Sequence, residues 1–569
     1  MLDVKRQPAI LDDKIPFGAT QVRGSKKGNL LFALLLAAYG LYAALFIINS
    51  SFVVGGERYF VLFDDAMISM RYARNLAEGA GLVWNAGETP VEGYTNPLWT
   101  VGMAVLHLLP VAASKVSLLV QVSGALFILA ALVFVRKIAL DLSKSELVSL
   151  LAVLLTAFYM PLNNWALLGM EVSLLVLIVC ASAYLFLRNL REGRFSVWPY
   201  LLLGIGTLVR FDMAVPYLVS LIFLAIVDAR HRRSHLLWGL GLLLIALGSQ
   251  TLFRWIYYKD LLPNTYYLKV TGYPVFLRIA RGLYALFTFV WDSNWVLVLL
   301  PFTLLIFRRD RETLFLFALL LGQAAYSAYV GGDAWEHRGG SNRYLALMMP
   351  LFFILFVYSI ALLTRALATK IKGEPKKIDF WSNLIVVGLV LIGMVNFNYL
   401  LGKNLSLARW LLLRPPMFSV GNSDYVRIAR DIEQFTTPKT RIAVVAAGTT
   451  PYFSNRPAID LLGKSDRRIA HQPANNIANW YYLESFRPGH MKWDYDYSIG
   501  ELKPDLIVQL WGDTQAAQKY IDRDYVAGGS GDGLIYALRK DSTEILWDKV
   551  TLCTGECLNQ LTSTGEENP

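Results

Sequence analysis

The chain has 569 residues, of which 55% are hydrophobic and 17% charged, and its mean hydropathy is +0.42; this excludes an ordinary water-soluble globular protein. The net charge of +11 comes from basic residues gathered in short loops between apolar runs, which is the orientation signal of a membrane protein and not a nucleic-acid footprint. Three cysteines, Cys180, Cys553 and Cys557, fit no zinc or redox framework, while a Cys553–Cys557 disulfide is compatible with a tail outside the cytoplasm.

In chain order, Lys5, Arg6, Lys14, Arg23, Lys26 and Lys27 precede the apolar run Leu30–Ile48. Residues 1–28 therefore read as a cytoplasmic segment, and the run reads as a first span, too long for the core of a cleaved signal peptide. Residues 29–402 form a membrane domain. Further apolar stretches recur at Leu98–Val111, Val116–Val135, Leu147–Met160, Val172–Leu187, Leu201–Val227, Leu236–Phe253, Leu283–Phe307, Leu314–Tyr329, Leu345–Leu363 and Leu384–Leu401. The basic loops Arg136–Lys144, Arg188–Arg194, Arg230–Arg233, Arg308–Arg311 and Arg365–Lys377 all belong inside by the positive-inside rule. Two full crossings at Leu98–Val111 and Val116–Val135 would put Arg136–Lys144 outside, against its charge. Arg210 and Asp212 interrupt Leu201–Val227, which reads either as one span or as two short helices meeting inside the membrane. The expectation is about 11 crossings with one region broken or re-entrant, the odd number placing the C-terminal part outside.

The loop 51–96, between the first two apolar runs, is the densest polar stretch in the membrane half. Its segment Phe63–Asn96 reads FDDAMISMRYARNLAEGAGLVWNAGETPVEGYTN. Asp64 and Asp65 open a helical pattern, and an aspartate there commonly caps the helix. The concentration that follows, with Arg71, Arg74, Asn85, Glu88, Glu92, Tyr94 and Asn96, exceeds what a cap requires, and a carboxylate facing water at a membrane surface can serve as general base.

Other constellations follow. Tyr257–Lys269 is dense in aromatics, as an interfacial belt is, yet Asn264, Thr265 and Lys269 add donors that a belt does not need. Gly331–Tyr344 holds Asp333, His337, Arg338 and Arg343; it reads as a flexible external loop or as a phosphate and sugar site, because guanidinium groups bind phosphate oxygens strongly. Glu171 starts a span and serves there as a helix-start carboxylate or as a site residue. Arg210 with Asp212 reads as an internal ion pair or as a functional pair, such as the coupling site of a lipid-linked sugar flippase; no internal repeat supports a transporter.

Beyond Lys403 the composition becomes that of a soluble domain, residues 403–569. Ile442–Ala447, Leu506–Leu510 and Leu534–Leu538 read as strands and Asp424–Phe435 as an amphipathic helix, which makes an α/β module. The run Trp480–Tyr497, which includes His490, carries aromatics suited to stacking on sugar rings.

Taken together, FDDAMISMRYARNLAEGAGLVWNAGETPVEGYTN, WALLGMEVSL, LVRFD, YYKDLLPNTYYLK, the GGD loop and the C-terminal run from Tyr452 to Asp466 with Pro488–Lys492 resemble the GT-C class of polyprenyl-phosphate-sugar-dependent glycosyltransferases, most closely the AftB-type arabinofuranosyltransferases. The resemblance implies a polytopic α-helical membrane protein of GT-C type with a C-terminal soluble α/β domain. It also implies a bacterial cytoplasmic-membrane enzyme with its active site and soluble domain on the periplasmic or extracellular side. The implied donor is decaprenyl- or undecaprenyl-phosphoarabinose, and the acceptor a cell-envelope glycan or glycoconjugate; another sugar or a pilin-like protein acceptor stays open. By position Asp64 matches the family's catalytic aspartate, with Asp65 beside it. Arg338, Arg343, Lys269, His337, Asp333, Asn264, Tyr267 and Arg210 are expected at the donor phosphate and sugar, and Glu92, Tyr94, Asn96, Glu171 and His490 as acceptor-side or loop supports. After GGD the sequence Ala334-Trp335-Glu336-His337-Arg338 departs from the family's Phe-Met-His. No nucleotide loop is present; oxygen ligands for a divalent cation exist, without metal-specific spacing.

Overall fold

A computed structural model describes residues 24–336, 342–370, 374–399, 404–475, 483 and 486–553. Among these, seven helices are long and apolar enough to cross a membrane, or nine if each of two bent pairs forms one span. The helix α1 (Lys26–Ser50) leads into a hairpin, β1 (Phe52–Val54) and β2 (Glu57–Tyr59), joined at Gly55 and Gly56. Both glycines have positive φ, 58° and 80°, as a tight two-residue hairpin turn demands. Next come α2 (Asp64–Ala77) and α3 (Pro97–His107).

The expected second crossing at Leu98–Val111 is corrected here. With 11 residues, α3 rises only about 16 Å, half a bilayer core. Its last residue, His107, hydrogen-bonds the Tyr452 hydroxyl of the C-terminal domain at 3.0 Å, so both ends stay at one end of the bundle. The long α4 (Ala113–Ser143) makes the next crossing, which removes the charge conflict at Arg136–Lys144. Then follow α5 (Glu146–Ala157) and α6 (Met160–Leu167), bent by 55°, and α7 (Val172–Glu192).

The broken region is Leu201–Val227. It forms α8 (Trp198–Val209), one 3₁₀ turn at Phe211–Met213, and α9 (Ala214–Val227). Tyr200 near the start of α8 bonds His235 at 2.8 Å, and His235 lies 3.3 Å from Asp228 just past α9. Both ends of the hairpin are therefore fastened at the same end of the bundle, with Arg210 at the tip. The helices Arg232–Tyr257, Val275–Asp292 with Trp295–Phe307 (bent by 105°), Arg311–Val330, Met349–Ala368 and Pro375–Asn398 complete the membrane half.

Ion pairs tie the basic loops together away from the aspartates. Glu146 accepts from the Ser25 amide at 2.8 Å and pairs with Arg136 at 3.3 Å. Arg191 bridges Asp141 at 2.8 Å and Glu312 at 3.1 Å. The outward faces are aliphatic and aromatic: Leu34, Leu41 and Leu45 on α1, and Phe276, Leu283, Phe287 and Trp291 on Val275–Asp292, are all exposed. Contiguous apolar surface of this extent is stable against lipid and not against water.

The C-terminal domain holds a six-stranded sheet in the order β4-β3-β5-β7-β6-β8, with β3 (Ile442–Val444) parallel to β4 (Ala458–Asp460) and β5 (Leu506–Ile507). The strands β6 (Tyr525–Gly529), β7 (Tyr536–Arg539) and β8 (Thr551–Leu552) are antiparallel. The expected α/β module is present, with shorter strands than the apolar runs indicated; β4, β6 and β8 are additional. Cys553 is disulfide-bonded, and Cys557 lies outside the described residues.

Helix packing reaches the site through Gly282. A Cβ there would lie 2.2 Å from the Ala328 carbonyl oxygen, so Val275–Asp292 and Arg311–Val330 touch backbone to backbone, as small residues allow in membranes. Gly282→Leu is expected to cost about 2 kcal/mol or more, seen as a lower Tm of the detergent-solubilised protein. Gly241→Leu, into open space, should leave Tm unchanged; equal effects would refute the close contact.

Candidate active site

The site starts from the two aspartates in the first turn of α2, where the helix N-terminus favours negative charge. Successive residues on a helix point about 100° apart, and here they serve different partners. Asp64 accepts the Thr449 amide at 2.7 Å and the Gly448 amide at 3.3 Å, which joins α2 to the C-terminal domain. Burial raises its pKa against the pull of the Thr449 amide. Asp65 instead lines a small cleft together with Ser69, Tyr94, Asn96, Thr265, Lys269, Arg343 and Lys464.

Three cations converge on that cleft. Lys464 of the C-terminal domain donates to Asp65 Oδ1 at 2.6 Å, and Arg343 Nη2 lies 3.6 Å from Oδ2. Arg343 is itself held by a fork to Asp333, Nε to Oδ2 at 2.7 Å and Nη2 to Oδ1 at 3.1 Å. Lys269 packs its stem over Gly489, whose φ is 88°, and lines the same cleft. Burial would raise the Asp65 carboxyl, but Lys464 and then Arg343 outweigh it and hold it well below the usual carboxylate range. Burial and the neighbouring Arg343 push Lys269 down to about 8. Asp65 and Asp333 offset two of the three cations, so the cleft keeps surplus positive charge and suits an anionic group.

A buried polar shell fixes the wall. Ser69 donates to Asn96 Oδ1 at 2.8 Å, Asn96 Nδ2 donates to Glu171 at 2.8 Å, and Glu171 pairs with Arg210 at 2.9 Å. Arg210 closes on Asp212 at 2.5 Å. Glu92 pairs with Arg254 at 2.6 Å, and the Tyr94 and Tyr258 hydroxyls meet at 2.7 Å. Arg281 donates to the carbonyls of Gly331 at 2.6 Å and Asp333 at 3.0 Å and pairs with Glu336, which shapes the loop that delivers Asp333.

Several expectations change as a result. Asp64 faces the domain junction and not the cleft. Arg210, Glu171 and Glu92 sit behind the wall, where a single span would have had no room for a paired tip. Asn264 places its Nδ2 within 2.9 Å of the Gly463 and Lys464 carbonyls and 3.1 Å of Asp466, so it holds the Lys464 loop and does not line the cleft. Tyr267 bonds Asp260 at 2.6 Å and stacks on His471 with centroids 4.0 Å apart, away from the cleft. His490 is packed edge-on to Trp335 at 5.6 Å, and burial lowers it to about 3, so it stays neutral. Lys269, Arg343, Tyr94 and Asn96 do line the cleft, with Asp333 behind Arg343. His337 and Arg338 lie outside the described residues. Thr265, singled out with Asn264 and Lys269, lines the cleft as well; Lys464, Ser69 and Arg281 were not anticipated, and Lys464 lay in the C-terminal run that carried the resemblance. Among the described residues no cluster of three His, Cys, Asp or Glu side chains could hold a metal ion.

With this geometry in hand, two solved structures are similar over nearly the whole chain. ArnT from Cupriavidus metallidurans bound to undecaprenyl phosphate has a TM-score of 0.54 at 13% identity, covering 91% of this chain and 99% of ArnT. The protein has the GT-C fold. The apo state of the same ArnT gives 0.51 at 13% identity, covering 90% and 98%. Residues 418–544 match a domain of unknown function, DUF8728. No curated protein matches in sequence.

In this GT-C bundle the Glu92–Arg254 pair is the most enclosed contact behind the cleft. Arg254→Met strands a buried carboxylate and is expected to cost about 3 kcal/mol in thermal or denaturant unfolding. Adding Glu92→Gln should recover most of the loss; a double variant no more stable than the single one would refute the pair's role.

Proposed function

We propose that this chain is a membrane glycosyltransferase that moves a sugar from a polyprenyl-phosphate carrier to an acceptor hydroxyl. The observation that carries this reading is Asp65, a carboxylate flanked by three cations in a cleft at one end of a GT-C bundle. ArnT, similar in fold, is a protein with undecaprenyl phosphate bound. In the proposed reaction Arg343 and Lys269 hold the donor phosphate and stabilise the charge that grows as the sugar C1–O bond breaks. Asp65 takes the acceptor proton as the new C1–O bond forms, and polyprenyl phosphate leaves. If the anomeric configuration is retained, Asp65 serves instead as nucleophile or shields an oxocarbenium ion.

The finer reading follows the sequence resemblance: D-arabinofuranose as the sugar, decaprenyl or undecaprenyl phosphate as the carrier, and a cell-envelope glycan or glycoconjugate as acceptor. The shared end of the basic loops Arg136–Lys144, Arg188–Arg194 and Arg308–Arg311 supports an orientation with that end in the cytoplasm. The cleft and the C-terminal domain then lie on the periplasmic or extracellular face.

Transfer of labelled sugar from polyprenyl-phosphoarabinose tests the assignment. Asp65→Asn should lose roughly two orders of magnitude or more. Asp64→Asn, which can still accept the Thr449 amide, should stay within about tenfold of wild type. The reverse order would return catalysis to Asp64.

Lys269 gives a pH prediction. It is charged below about 8 and neutral above, facing Arg343, Asp65, Asp333 and Lys464, while a bound phosphate monoester keeps nearly constant charge above pH 7. Affinity for undecaprenyl phosphate should therefore fall as pH rises through about 8, by roughly tenfold for one lost charged contact. Lys269→Met should bind more weakly at pH 7 and show no such fall; an unchanged profile in the variant would remove Lys269 from the phosphate site.

A further inference from the structure

The cleft is built from two domains, and the C-terminal one contributes a charged side chain to it. Lys464 follows β4 in a loop that turns at Gly463, with φ of 75°. Asp460 accepts the Leu462 amide at 3.0 Å and the Ser465 amide at 2.7 Å, while Asn264 of the membrane half grips the loop's carbonyls. On the other side Gly93 lies flush against it: a Cβ there would lie 2.3 Å from Ser465 Oγ and 3.0 Å from the Lys464 carbonyl oxygen. A loop fixed from three sides leaves the lysine stem one course, into the cleft.

There its ammonium meets Asp65 at 2.6 Å, beside Lys269 and Arg343. Arg343 is committed to Asp333 by two hydrogen bonds, and its contact with Asp65 is the longer one at 3.6 Å. Of these two cations, Lys464 is thus the one in closer contact with Asp65. A lysine ammonium carries three donors, so it can pass hydrogen bonds to a phosphate placed between it and Lys269 without leaving the cleft. A carboxylate bound to an ammonium is a weak base; once the ammonium's charge is shared with an anion, that carboxylate regains its basicity.

Resting on the reading above, we propose that Lys464 of the C-terminal domain is a catalytic residue that restrains Asp65 in the empty site and transfers its hydrogen bonds to the donor phosphate, so that Asp65 becomes an effective base only when the donor is in place. No bond is made or broken by Lys464: it remains protonated, the acceptor proton goes to Asp65, and the carrier phosphate leaves with the electron pair of the broken C1–O bond. The region that matches a domain of unknown function would then supply one of the three cations around the donor phosphate, and the C-terminal domain is a working wall of the site and not an accessory for acceptors alone.

The test uses the full-length protein in lipid nanodiscs, with undecaprenyl phosphate as the binding probe and labelled polyprenyl-phosphoarabinose for transfer. Lys464→Met should weaken probe binding tenfold or more and lower transfer about a hundredfold, with Lys464→Arg recovering a substantial part of both. In Lys464→Met, Asp65 still faces Arg343, Lys269 and Asp64, but without its nearest cation the acidic limb of kcat/KM should move to higher pH than in wild type. Probe binding, transfer and acidic limb all like wild type in Lys464→Met would overturn the proposal. So would an equal loss in the Met and Arg variants together with a lowered Tm, which marks a structural strut. If Lys464→Met fails to fold, Lys464→Arg alone decides by its pH limb, which should stay at the wild-type position. Wild type that neither binds the probe nor transfers sugar would bring down the functional reading itself, whereas normal wild-type behaviour with an indifferent Lys464 would sink only this inference.

Discussion

The structure depends on the divergence of two neighbouring carboxylates at the head of one helix. Asp64 and Asp65 share the first turn of α2, yet the rotation of one residue sends the first to the Gly448 and Thr449 amides of the C-terminal domain and the second to the cleft. Because both sit on the same rigid turn, docking the domain and positioning Asp65 are one event. The rest of α2 reinforces this. Arg71 donates to the Trp84, Pro451 and Arg456 carbonyls, and Arg74 to the Tyr452 carbonyl. The arginines that made the loop look like a ligand site are therefore mostly clamps between the two halves of the protein.

Buried charge is costly unless it is paired and hydrogen-bonded, and the membrane half meets that requirement in layers. The innermost layer is Asp65 with Lys464 and Arg343, the next is Asp333 and Arg281, and the outer one runs through Asn96 and Glu171 to Arg210 at the hairpin tip. Each layer orients the one inside it, so that cleft groups are held by partners that never meet a substrate. Arg210 shows why the hairpin is broken: a continuous span would bury a guanidinium among lipid-facing turns, whereas a tip can present it to Glu171 and Asp212 together.

Much of this was legible in the sequence and some was not, for physical reasons. Hydropathy marks where apolar chain lies but not whether 11 residues cross the bilayer, so the course of α3 follows only from its contact with Tyr452. The polar stretch of residues 63–96 and the singled-out Lys269, Arg343, Tyr94 and Asn96 come together at one cleft. Which of two adjacent aspartates faces the cleft depends on where α2 points, and that is set by a domain some 380 residues further along. Lys464 could not be placed from local pattern, since its role arises only when Asn264 and Gly93 receive its loop. The strands β4 and β8 are too short, at three and two residues, to leave a period-two signature.

The charge of the cleft links the fold to the proposed chemistry. Its lining carries Lys269, Arg343 and Lys464 beside one lining carboxylate, Asp65, a set that favours a phosphate head over an isoprenoid chain. A polyprenyl tail would have to stay in the bilayer, along apolar helix faces such as Phe276, Leu283 and Phe287, while its phosphate is drawn to the cations at the rim. Charge thus selects the phosphate end of the molecule. A cleft walled by Lys464 of the C-terminal domain and by α2, residues 93–96, Thr265, Lys269 and Arg343 of the membrane half would, once filled, also limit water, the competing nucleophile, at the moment the sugar–phosphate bond opens. For that protection to hold, the domain must stay docked, and the hydrogen bonds of Asp64, Arg71 and Arg74 to its backbone provide the hold.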